Sequence, residues 1–339
     1  MNTAIEVREL TKIYRTYQKE AGLFGALKGL THRRYKETVA ARGVSLQVKE
    51  GELVGFLGPN GAGKTTVLKM LSGLLYPTSG EARVLGYVPW KRQNDFKRQF
   101  ALILGQKNQL WWDLPAAESL ELNRVIYGLD RAASQRTIDE LTELLDVREK
   151  LDTMVRELSL GERMKMELIA ALLHRPKVLF LDEPTIGLDV LSQKKVREFL
   201  RDYTARNRIT TLLTSHYMQD IEELCERVVI IDHGQVFFDG ALQDIIDRLA
   251  TNKIVTLTRR KGLAPTDFAR FGPVLEQSPS QVRLKIPRDR IVAASRELIS
   301  ALEVDDFTVE DVPIEDIIRE VFSERQEELR GADKTPASG

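Results

Sequence analysis

The segment from Gly58 to Thr66, with the sequence G-P-N-G-A-G-K-T-T, constrains the fold of this chain more than any other feature. It matches the phosphate-loop pattern G-x-x-x-x-G-K-[ST], whose glycines let backbone N–H groups wrap around phosphate oxygens. The pattern needs a strand before the loop and a helix after it, because free N–H groups at a helix start favour an anion. The apolar runs at residues 52–57 and 67–71 fit those elements. The sequence therefore predicts a nucleoside triphosphate site in an α/β fold.

Each residue type in this loop has an expected role. The backbone of the loop is expected to surround the phosphates, Lys64 to reach the β- and γ-phosphates, and the Thr65 hydroxyl to coordinate Mg²⁺. A glycine-rich turn that matches by chance is the alternative, and the flanking strand and helix argue against it. The predicted nucleotide-binding residues of the loop are Gly58, Pro59, Asn60, Gly61, Ala62, Gly63, Lys64, Thr65 and Thr66.

Two acids follow a buried strand later in the chain. Four apolar residues at 178–181 lead directly to Asp182 and Glu183. Open α/β sheets bind their ligands at the carboxyl ends of strands, so these acids are expected beside the phosphate loop. Asp182 is predicted to hold Mg²⁺, directly or through a water, and Glu183 to orient and deprotonate an attacking water. An acidic turn that only closes a strand is the alternative interpretation.

A short Ser/Gly motif opens a predicted helix at residues 158–162, with the sequence L-S-L-G-E. Ser159 is a favourable N-cap, and the first turn of the helix offers backbone N–H groups to an anion. An ordinary capped helix has the same features. By itself this motif therefore leaves both interpretations open.

The hydropathy pattern alternates strands with helices. Strand-like runs at residues 4–14, 39–57 and 82–104 precede a helical pattern from about 115 to 175, and strand character returns over residues 178–238. Buried apolar strands that alternate with helices predict a mostly parallel sheet with helices on its faces. The helical block is interpreted as an insertion into that α/β core.

Charge and composition exclude several classes of protein. The 50 basic and 50 acidic residues give a formal net charge of zero. The chain therefore lacks the excess of positive charge that would indicate a nucleic-acid partner. The first residues lack the pattern of a signal peptide, and no apolar run approaches the roughly 18 residues that span a bilayer. The single Cys225 excludes an intrachain disulfide and fits a reducing cytoplasm. Any membrane role is therefore expected to come through a partner.

Taken in order, these motifs resemble those of the nucleotide-binding subunits of ABC transporters over about residues 3–240. The last hundred residues resemble the accessory domain of the drug-exporting branch, and residues 312–318 resemble its closing element. Within that branch the chain is most similar to multidrug or viologen-type exporters. The resemblance implies a P-loop NTPase core with an antiparallel β subdomain, an inserted helical subdomain and a small C-terminal α+β domain.

The resemblance also implies a function. Family members bind ATP and Mg²⁺, hydrolyse ATP, and energise transport through separate transmembrane permease subunits at the cytoplasmic face of the plasma membrane. Two subunits form a head-to-tail homodimer, in which Ser159 and Gly161 of one subunit face the ATP of the other. The family motif is L-S-G-G-Q, so Leu160 and Glu162 depart from it. No nucleic-acid partner is expected.

Four further positions match family residues one by one. Tyr14 matches the aromatic residue that stacks on adenine, with a packing tyrosine at a strand edge as the alternative. Gln106 matches the glutamine that senses Mg²⁺ and the attacking water, Asp189 a residue of the loop that communicates across the dimer, and His216 the histidine that contacts the γ-phosphate. The predicted catalytic residues are Lys64, Gln106, Glu183 and His216, and the predicted metal ligands are Thr65, Gln106 and Asp182.

The expected domains are an ATP-binding domain at residues 1–240, with its helical subdomain at about 107–175, and an accessory domain at 241–322. The charged tail at 323–339 is predicted to be disordered. An unusual basic insert at residues 15–38 carries a partly helical apolar stripe of Leu23, Phe24, Leu27 and Leu30. It either contacts a membrane or partner, or packs against the protein itself. Trp111 and Trp112 fit either an interface or a core.

Two other functions are alternatives to transport. A soluble ABC-type ATPase acting on ribosomes or DNA is one alternative, but the chain has neither a second ATPase cassette nor an inserted coiled coil. A binding module without turnover is the other, and Glu183 and His216 argue against it. An ATPase subunit that drives export of a drug-like molecule remains the leading prediction.

Overall fold

The computed structural model describes residues 2–17, 35–105, 109–215, 217–249, 251–258, 267–302, 304–320 and 323. These residues form two compact units, Met1–Gly240 and Ala241–Gly339. Predictions that concern residues outside these ranges, including the apolar stripe at Leu23, Phe24, Leu27 and Leu30, stay predictions.

The first unit contains two sheets and a group of helices. Its strands are β1 (Thr3–Tyr17), β2 (Tyr35–Lys49), β3 (Leu53–Leu57), β4 (Ser79–Val84), β5 (Phe100–Leu104), β6 (Val178–Asp182), β7 (Thr210–Thr214), β8 (Arg227–Asp232) and β9 (Gln235–Ala241). Its helices are α1 (Lys64–Leu71), α2 (Asn94–Lys97), α3 (Ala116–Tyr127), α4 (Arg131–Leu144), α5 (Leu160–Leu172), α6 (Val190–Asn207) and α7 (Met218–Leu224). Among the described residues, no helix is both long and apolar enough to cross a bilayer.

The central sheet has the strand order β5-β6-β7-β3-β8-β9. Strands β5, β6, β7, β3 and β8 pair in parallel, and β6 and β7 are buried along their whole length. Burial on both faces explains why β6 begins with four consecutive apolar residues. In the register, Asp182 lies opposite both Leu104 and Thr214. The segments that follow β3, β5, β6 and β7 therefore lie close together at the carboxyl ends of these strands.

The second sheet of this unit is antiparallel, with the order β2-β1-β4. Its buried residues, such as Leu10 and Val44, belong to the same hydrophobic core as Phe56 of β3 and Leu68 of α1. Alternating burial along β2 indicates a sheet with one face against the core and one face exposed. The shared core fixes the antiparallel sheet against the phosphate-loop helix.

The structure divides several of the strand-like stretches more finely than the sequence pattern did. The run at residues 39–57 is two strands, because Gly51 has a positive φ of 77° and makes a turn between β2 and β3. The strand-like stretch at 82–104 contains the short helix α2, which buries Phe96. The partly helical stripe expected within the insert lies outside the described residues and stays a prediction. The described ends of the insert, residues 15–17 and 35–38, are strands, which extend the β1–β2 pairing to Tyr17 opposite Tyr35.

The helical subdomain consists of α3, α4 and α5 with short 3₁₀ turns between them. In α4, Ile138 and Leu141 are buried at the three-residue spacing of a helix face, and Asp130 caps the helix by accepting from Ala133 N at 2.8 Å. In α5, the first helical residue is Leu160, directly after Ser159. The position of Ser159 is therefore fixed by the start of a mostly buried helix.

The second unit is a small α+β fold. Helix α8 (Leu242–Leu249) precedes β10 (Asn252–Thr258), β11 (Val274–Gln277), β12 (Gln281–Pro287), helix α9 (Ile291–Ala301) and β13 (Asp306–Asp311), and a helix follows at residues 314–320. The strands form an antiparallel sheet in the order β11-β12-β10-β13. Val255 and Leu284 of the sheet pack with Leu298 of α9 in a core of their own. The unit thus has the core that an independent domain needs.

Candidate functional site

A cavity of about 340 Å³ lies where the phosphate loop meets the end of β6. Such a volume is at the lower end of the range that small-molecule sites occupy. Among the described residues, its lining combines one backbone segment of the antiparallel sheet, most of the phosphate loop and one acid of the strand end: Ala40, Asn60, Gly61, Ala62, Gly63, Lys64, Thr65, Thr66 and Glu183. The phosphate loop and Glu183, the acid predicted to act with it, therefore line the same cavity.

Gly63 shows why the loop needs glycine. Its φ is 106°, and a Cβ built there would lie 2.1 Å from the carbonyl oxygen of Ala40. Any side chain would push the loop away from β2, which forms one wall of the cavity. Gly61 also has a positive φ, of 81°, and has open space around it. Glycine at both positions lets the backbone follow the surface of a bound anion.

Lys64 is the first residue of α1 and is mostly buried. Its Nζ donates to the carbonyl oxygens of Gly58 at 2.6 Å and Pro59 at 3.0 Å. Burial lowers the pKa of Lys64, and the nearby carboxylates of Glu183 and Asp182 act in the opposite direction. An ammonium group held in this way favours an anionic ligand, because a buried charge is stabilised by a charged partner.

Asp182 links the phosphate loop to the central sheet. Its carboxylate accepts from Thr65 Oγ1, at 3.0 Å and 2.8 Å to its two oxygens, and from Thr214 Oγ1 at 2.8 Å. The Thr65 hydroxyl and the Asp182 carboxylate are the hard oxygen ligands that Mg²⁺ prefers, and they already lie within hydrogen-bonding distance of each other. The residues present therefore fit a Mg²⁺ ion at this edge of the sheet.

Glu183 has an unusual backbone conformation, with φ of 57°. This left-handed conformation costs a non-glycine residue about 1–2 kcal/mol, and such strain is concentrated at functional sites. Thr214 compensates in part, since its carbonyl oxygen and Oγ1 accept from Glu183 N at 3.0 Å and 3.1 Å. Glu183 lines the cavity beside the phosphate loop.

Gly105 connects β5 to the same strand end. Its N–H donates to the carbonyl oxygen of Asp182 at 2.8 Å, and a Cβ there would lie 2.1 Å from the carbonyl oxygen of Glu183. The next residue, Gln106, lies outside the described residues, as does His216 after β7. The roles of both side chains stay predictions.

The Ser/Gly motif and Asp189 form a second group of residues. A Cβ on Gly161 would lie 2.4 Å from Ser192 Oγ, and Ser192 donates to Asp189 through its N–H at 3.0 Å and its hydroxyl at 2.7 Å. These hydrogen bonds lower the pKa of Asp189. Within the part of the chain that the structure describes, the cavity lining includes neither Ser159, Gly161 nor Asp189.

Ser159 caps α5 through a reciprocal pair of hydrogen bonds with Glu162. Ser159 Oγ accepts from Glu162 N at 3.3 Å, and Glu162 Oε2 accepts from Ser159 N and Oγ, both at 2.9 Å. Lys150 Nζ lies 3.0 Å from Glu162 Oε1. The backbone bond from Ser159 and the ion pair with Lys150 lower the pKa of Glu162. Glu162 is thus an ionised cap of the helix.

The aromatic residues singled out in the sequence are all partly exposed. Tyr14 is 38% exposed, and Lys12 Nζ lies 5.4 Å from the centroid of its ring. Trp111 and Trp112 are 40% and 45% exposed, and the Arg163 guanidinium lies 5.4 Å from the Trp112 ring. Neither tryptophan is therefore a fully buried core residue. Tyr14 does not line the cavity among the described residues, so adenine stacking stays a prediction.

Sequence reasoning missed two residues that contact the site and one buried acid of α5. Ala40 and Thr214 touch the loop or the acids, but their contribution depends on the pairing of distant strands. Glu167 of α5 was read only as part of a helix, yet it is buried and accepts from Gln109 N at 3.4 Å. Burial raises the pKa of Glu167 to about 7. A glutamate within an otherwise apolar helix segment was the only available signal.

Comparison with known protein families gives two matches. The family model described as "ABC transporter" matches residues 41–186, which include the phosphate loop, the Ser/Gly motif and both acids. The model described as "EvrA-like ABC transporter, C-terminal domain" matches residues 251–310, within the second unit.

Individual proteins extend these matches. The ABC transporter ATP-binding protein NatA of Bacillus subtilis (strain 168) is 36% identical over 212 residues, covering 62% of this chain and 86% of NatA. The linearmycin resistance ATP-binding protein LnrL of the same organism is 34% identical over 226 residues, covering 67% of this chain and 72% of LnrL. A dimeric, post-hydrolysis structure of an ATP-binding cassette bound to ADP and Pi has a TM-score of 0.59 at 21% identity, covering 70% of this chain and 98% of that one. At that identity the likeness concerns the fold.

Glu167 predicts a pH dependence of stability. Because its pKa is raised from 4.5 to about 7 on folding, the folded state keeps a proton that the unfolded state releases between those values. This group therefore destabilises the fold as the pH rises from about 5 to 8, by up to ~3 kcal/mol. Glu167→Gln should remove that dependence, so its stability relative to wild type should grow with pH in urea unfolding.

The exposed Glu143 of α4 supplies the control. Glu143→Gln, which replaces an exposed acid, should leave the stability close to that of wild type. A pH-independent difference for Glu167→Gln would contradict the prediction.

Proposed function

The chain belongs to the ATP-binding proteins of ABC transporters, and from this premise we propose that it hydrolyses ATP to energise export of a small, drug-like molecule. Separate transmembrane subunits would carry the molecule, with the chain bound peripherally at the cytoplasmic face of the plasma membrane. The observation that carries the ATPase proposal is the cavity at which Lys64, Thr65 and Glu183 converge, with Asp182 bonded to Thr65.

The phosphate loop is proposed to bind the triphosphate of ATP. Lys64 already points back over the loop toward the carbonyl oxygens of Gly58 and Pro59, so its ammonium group is available at the place where a phosphate chain would lie. The start of α1 adds the positive end of the helix dipole. Anion binding therefore relieves the cost of burying Lys64 and adds its own hydrogen bonds.

Mg²⁺ is proposed to bind at Thr65 and Asp182, where it would neutralise charge that develops on the phosphate oxygens. Thr214 keeps the Asp182 carboxylate in place from the sheet side. Glu183 is proposed to orient the attacking water and accept its proton, because it lines the same cavity as the phosphate loop. Gln106 and His216 are proposed to assist, on the basis of family resemblance.

The active unit is proposed to be a head-to-tail homodimer. The cavity lacks Ser159 and Gly161 within the described part of the chain, so a second subunit is the natural source of that motif. Gly161 lies beside Asp189 and Ser192, which supports a shared surface that contacts the partner. Glu162 brings a negative charge close to this surface, and its ion pair with Lys150 reduces the repulsion of an approaching phosphate.

Export rather than import rests on the relatives. LnrL is named for resistance to linearmycin, and the matching C-terminal model is that of an ABC transporter. The second unit, proposed as an accessory domain over residues 241–322, is assigned to dimer contacts or regulation. The insert at 15–38 is proposed to contact the membrane subunits, and its described ends form an exposed two-stranded ribbon beyond the pairing of β1 with β4.

The transport assignment predicts a membrane partner. The tagged chain, purified from native membranes in mild detergent, should bring with it a protein of about six apolar spans in a fixed ratio, as identified by mass spectrometry. Deletion of residues 18–36 should reduce that recovery if the insert contacts the partner. Recovery of ribosomal or DNA-bound proteins in place of a membrane protein would contradict transport.

The catalytic assignment predicts that Glu183→Gln abolishes turnover while ATP still binds. General base catalysis contributes roughly 10²–10⁴-fold, so hydrolysis should fall by at least about 100-fold. Because ATP then persists, the variant should elute as a dimer with ATP and as a monomer with ADP in size-exclusion chromatography. Glu157→Gln, an exposed acid away from the cavity, is the matched control and should resemble wild type. Normal turnover in Glu183→Gln would exclude this role.

A further inference from the structure

A buried polar network lies behind the ends of β6 and β7. Asp220 of α7 is fully buried, and the side chains around it belong to residues that are at most 7% exposed: Thr185, Arg197 and Ser215. Charged side chains are almost never fully buried unless they are paired. None of these residues lines the nucleotide cavity among the described residues, so direct contact with ATP does not account for the network.

The Asp220 carboxylate joins three separate elements. Its Oδ2 accepts from Ser215 Oγ at 2.5 Å and from Thr185 Oγ1, and its Oδ1 accepts from Arg197 Nη1 at 3.2 Å. Arg197 Nε also donates to Glu223 Oε2 at 3.0 Å. Arg197 of α6 therefore neutralises the charge of Asp220 through Oδ1. The second carboxylate oxygen, Oδ2, accepts hydrogen bonds from the two hydroxyl groups.

Those two hydroxyl groups lie on the two loops that carry the proposed catalytic residues. Thr185 is two residues after Glu183, in the turn that follows β6. Ser215 directly follows β7, and its Oγ also accepts from Tyr217 N at 3.0 Å, which ties together the backbone on both sides of position 216. One carboxylate thus holds the loop after β6 to the loop after β7.

A charged acceptor suits this task better than a neutral one. Hydrogen bonds to a carboxylate are shorter and roughly twice as strong as neutral bonds, and one oxygen can accept from two donors. A buried ion pair of this kind is weak evidence for stability, because hydrophobic residues of similar volume often serve as well. The arrangement is better explained by the geometry it imposes on the two loops.

We propose that Asp220 is a positioning residue for ATP hydrolysis, which fixes the loop of Glu183 relative to the loop at position 216. This inference rests on the proposed function, since Glu183 acts as the base there. Asp220 itself does not touch ATP or the attacking water. Loss of its hydrogen bonds to Thr185 and Ser215 should slow the chemical step and leave nucleotide binding almost unchanged.

Single substitutions at the two hydroxyl groups test this directly. Thr185→Val removes the hydrogen bond to Asp220 with little change in shape, and Ser215→Ala removes the bond to Asp220 together with the one accepted from Tyr217 N. Each should lower kcat about 10-fold, as expected for one bond to a charged group, and change the KM for ATP by less than about twofold. Asp220→Asn should lower kcat further. The Thr185→Val/Ser215→Ala double variant should lose less than the product of the single effects, because both bonds act through one carboxylate.

Glu223→Gln is the matched control. It weakens the outer contact of Arg197 without touching either hydroxyl group, so it should lower the Tm but keep wild-type kcat. Melting curves of every variant establish that it is folded at the assay temperature. If Asp220→Asn does not fold, the two single variants still decide the question.

Wild-type kcat in folded Thr185→Val and Ser215→Ala would overturn the inference and leave the network a structural one. Glu183→Gln, assayed in parallel, separates the catalytic role of Glu183 from the positioning role of Asp220. If Glu183→Gln still turns over, the proposed catalytic function itself fails. If it is inactive while the two hydroxyl variants keep wild-type kcat, only the positioning role of Asp220 fails.

Discussion

The hydrogen bonds that Asp182 accepts from Thr65 and Thr214 connect the phosphate loop to the central sheet, and the rest of the site depends on them. They exist because β6 and β7 are parallel and in register, with Asp182 opposite Thr214. The same register lets Thr214 hold the strained backbone of Glu183. The core that joins both sheets then keeps Ala40 against the loop on the other side.

The first unit keeps several ionisable groups away from water, which is costly unless each charge has a partner. Lys64 has two carbonyl oxygens, Asp182 has two hydroxyl groups, and Asp220 has Arg197 with two more hydroxyl groups. Glu167 is buried with a backbone N–H, and its raised pKa reflects that incomplete compensation. The pairings of Lys64, Asp182 and Asp220 are more easily explained by ligand binding and loop positioning than by stability alone.

The family and the α/β fold class predicted from the sequence are confirmed. They could be predicted because the phosphate loop and the acids after β6 are short local patterns with strict requirements. Contacts between distant segments could not be predicted in this way. The extension of β1 and β2, the wall at Ala40 and the bonds of Asp220 all depend on strand register and helix packing. The roles of Ser159, Gly161 and Asp189 stay predictions, as do those of Gln106 and His216, which lie outside the described residues.

The central claim is that each ATP is bound by Lys64 of one subunit and Ser159 of another. Mixing two inactive variants tests it most directly: Lys64→Ala, which lacks the phosphate-loop charge, and Ser159→Phe, which blocks the exposed cap position. Each homodimer has no complete site, whereas a mixed dimer has one. The account predicts that the mixture recovers roughly a quarter of wild-type ATPase activity when subunits exchange freely. No recovery above the two variants assayed alone, or full activity of Ser159→Phe by itself, would contradict it.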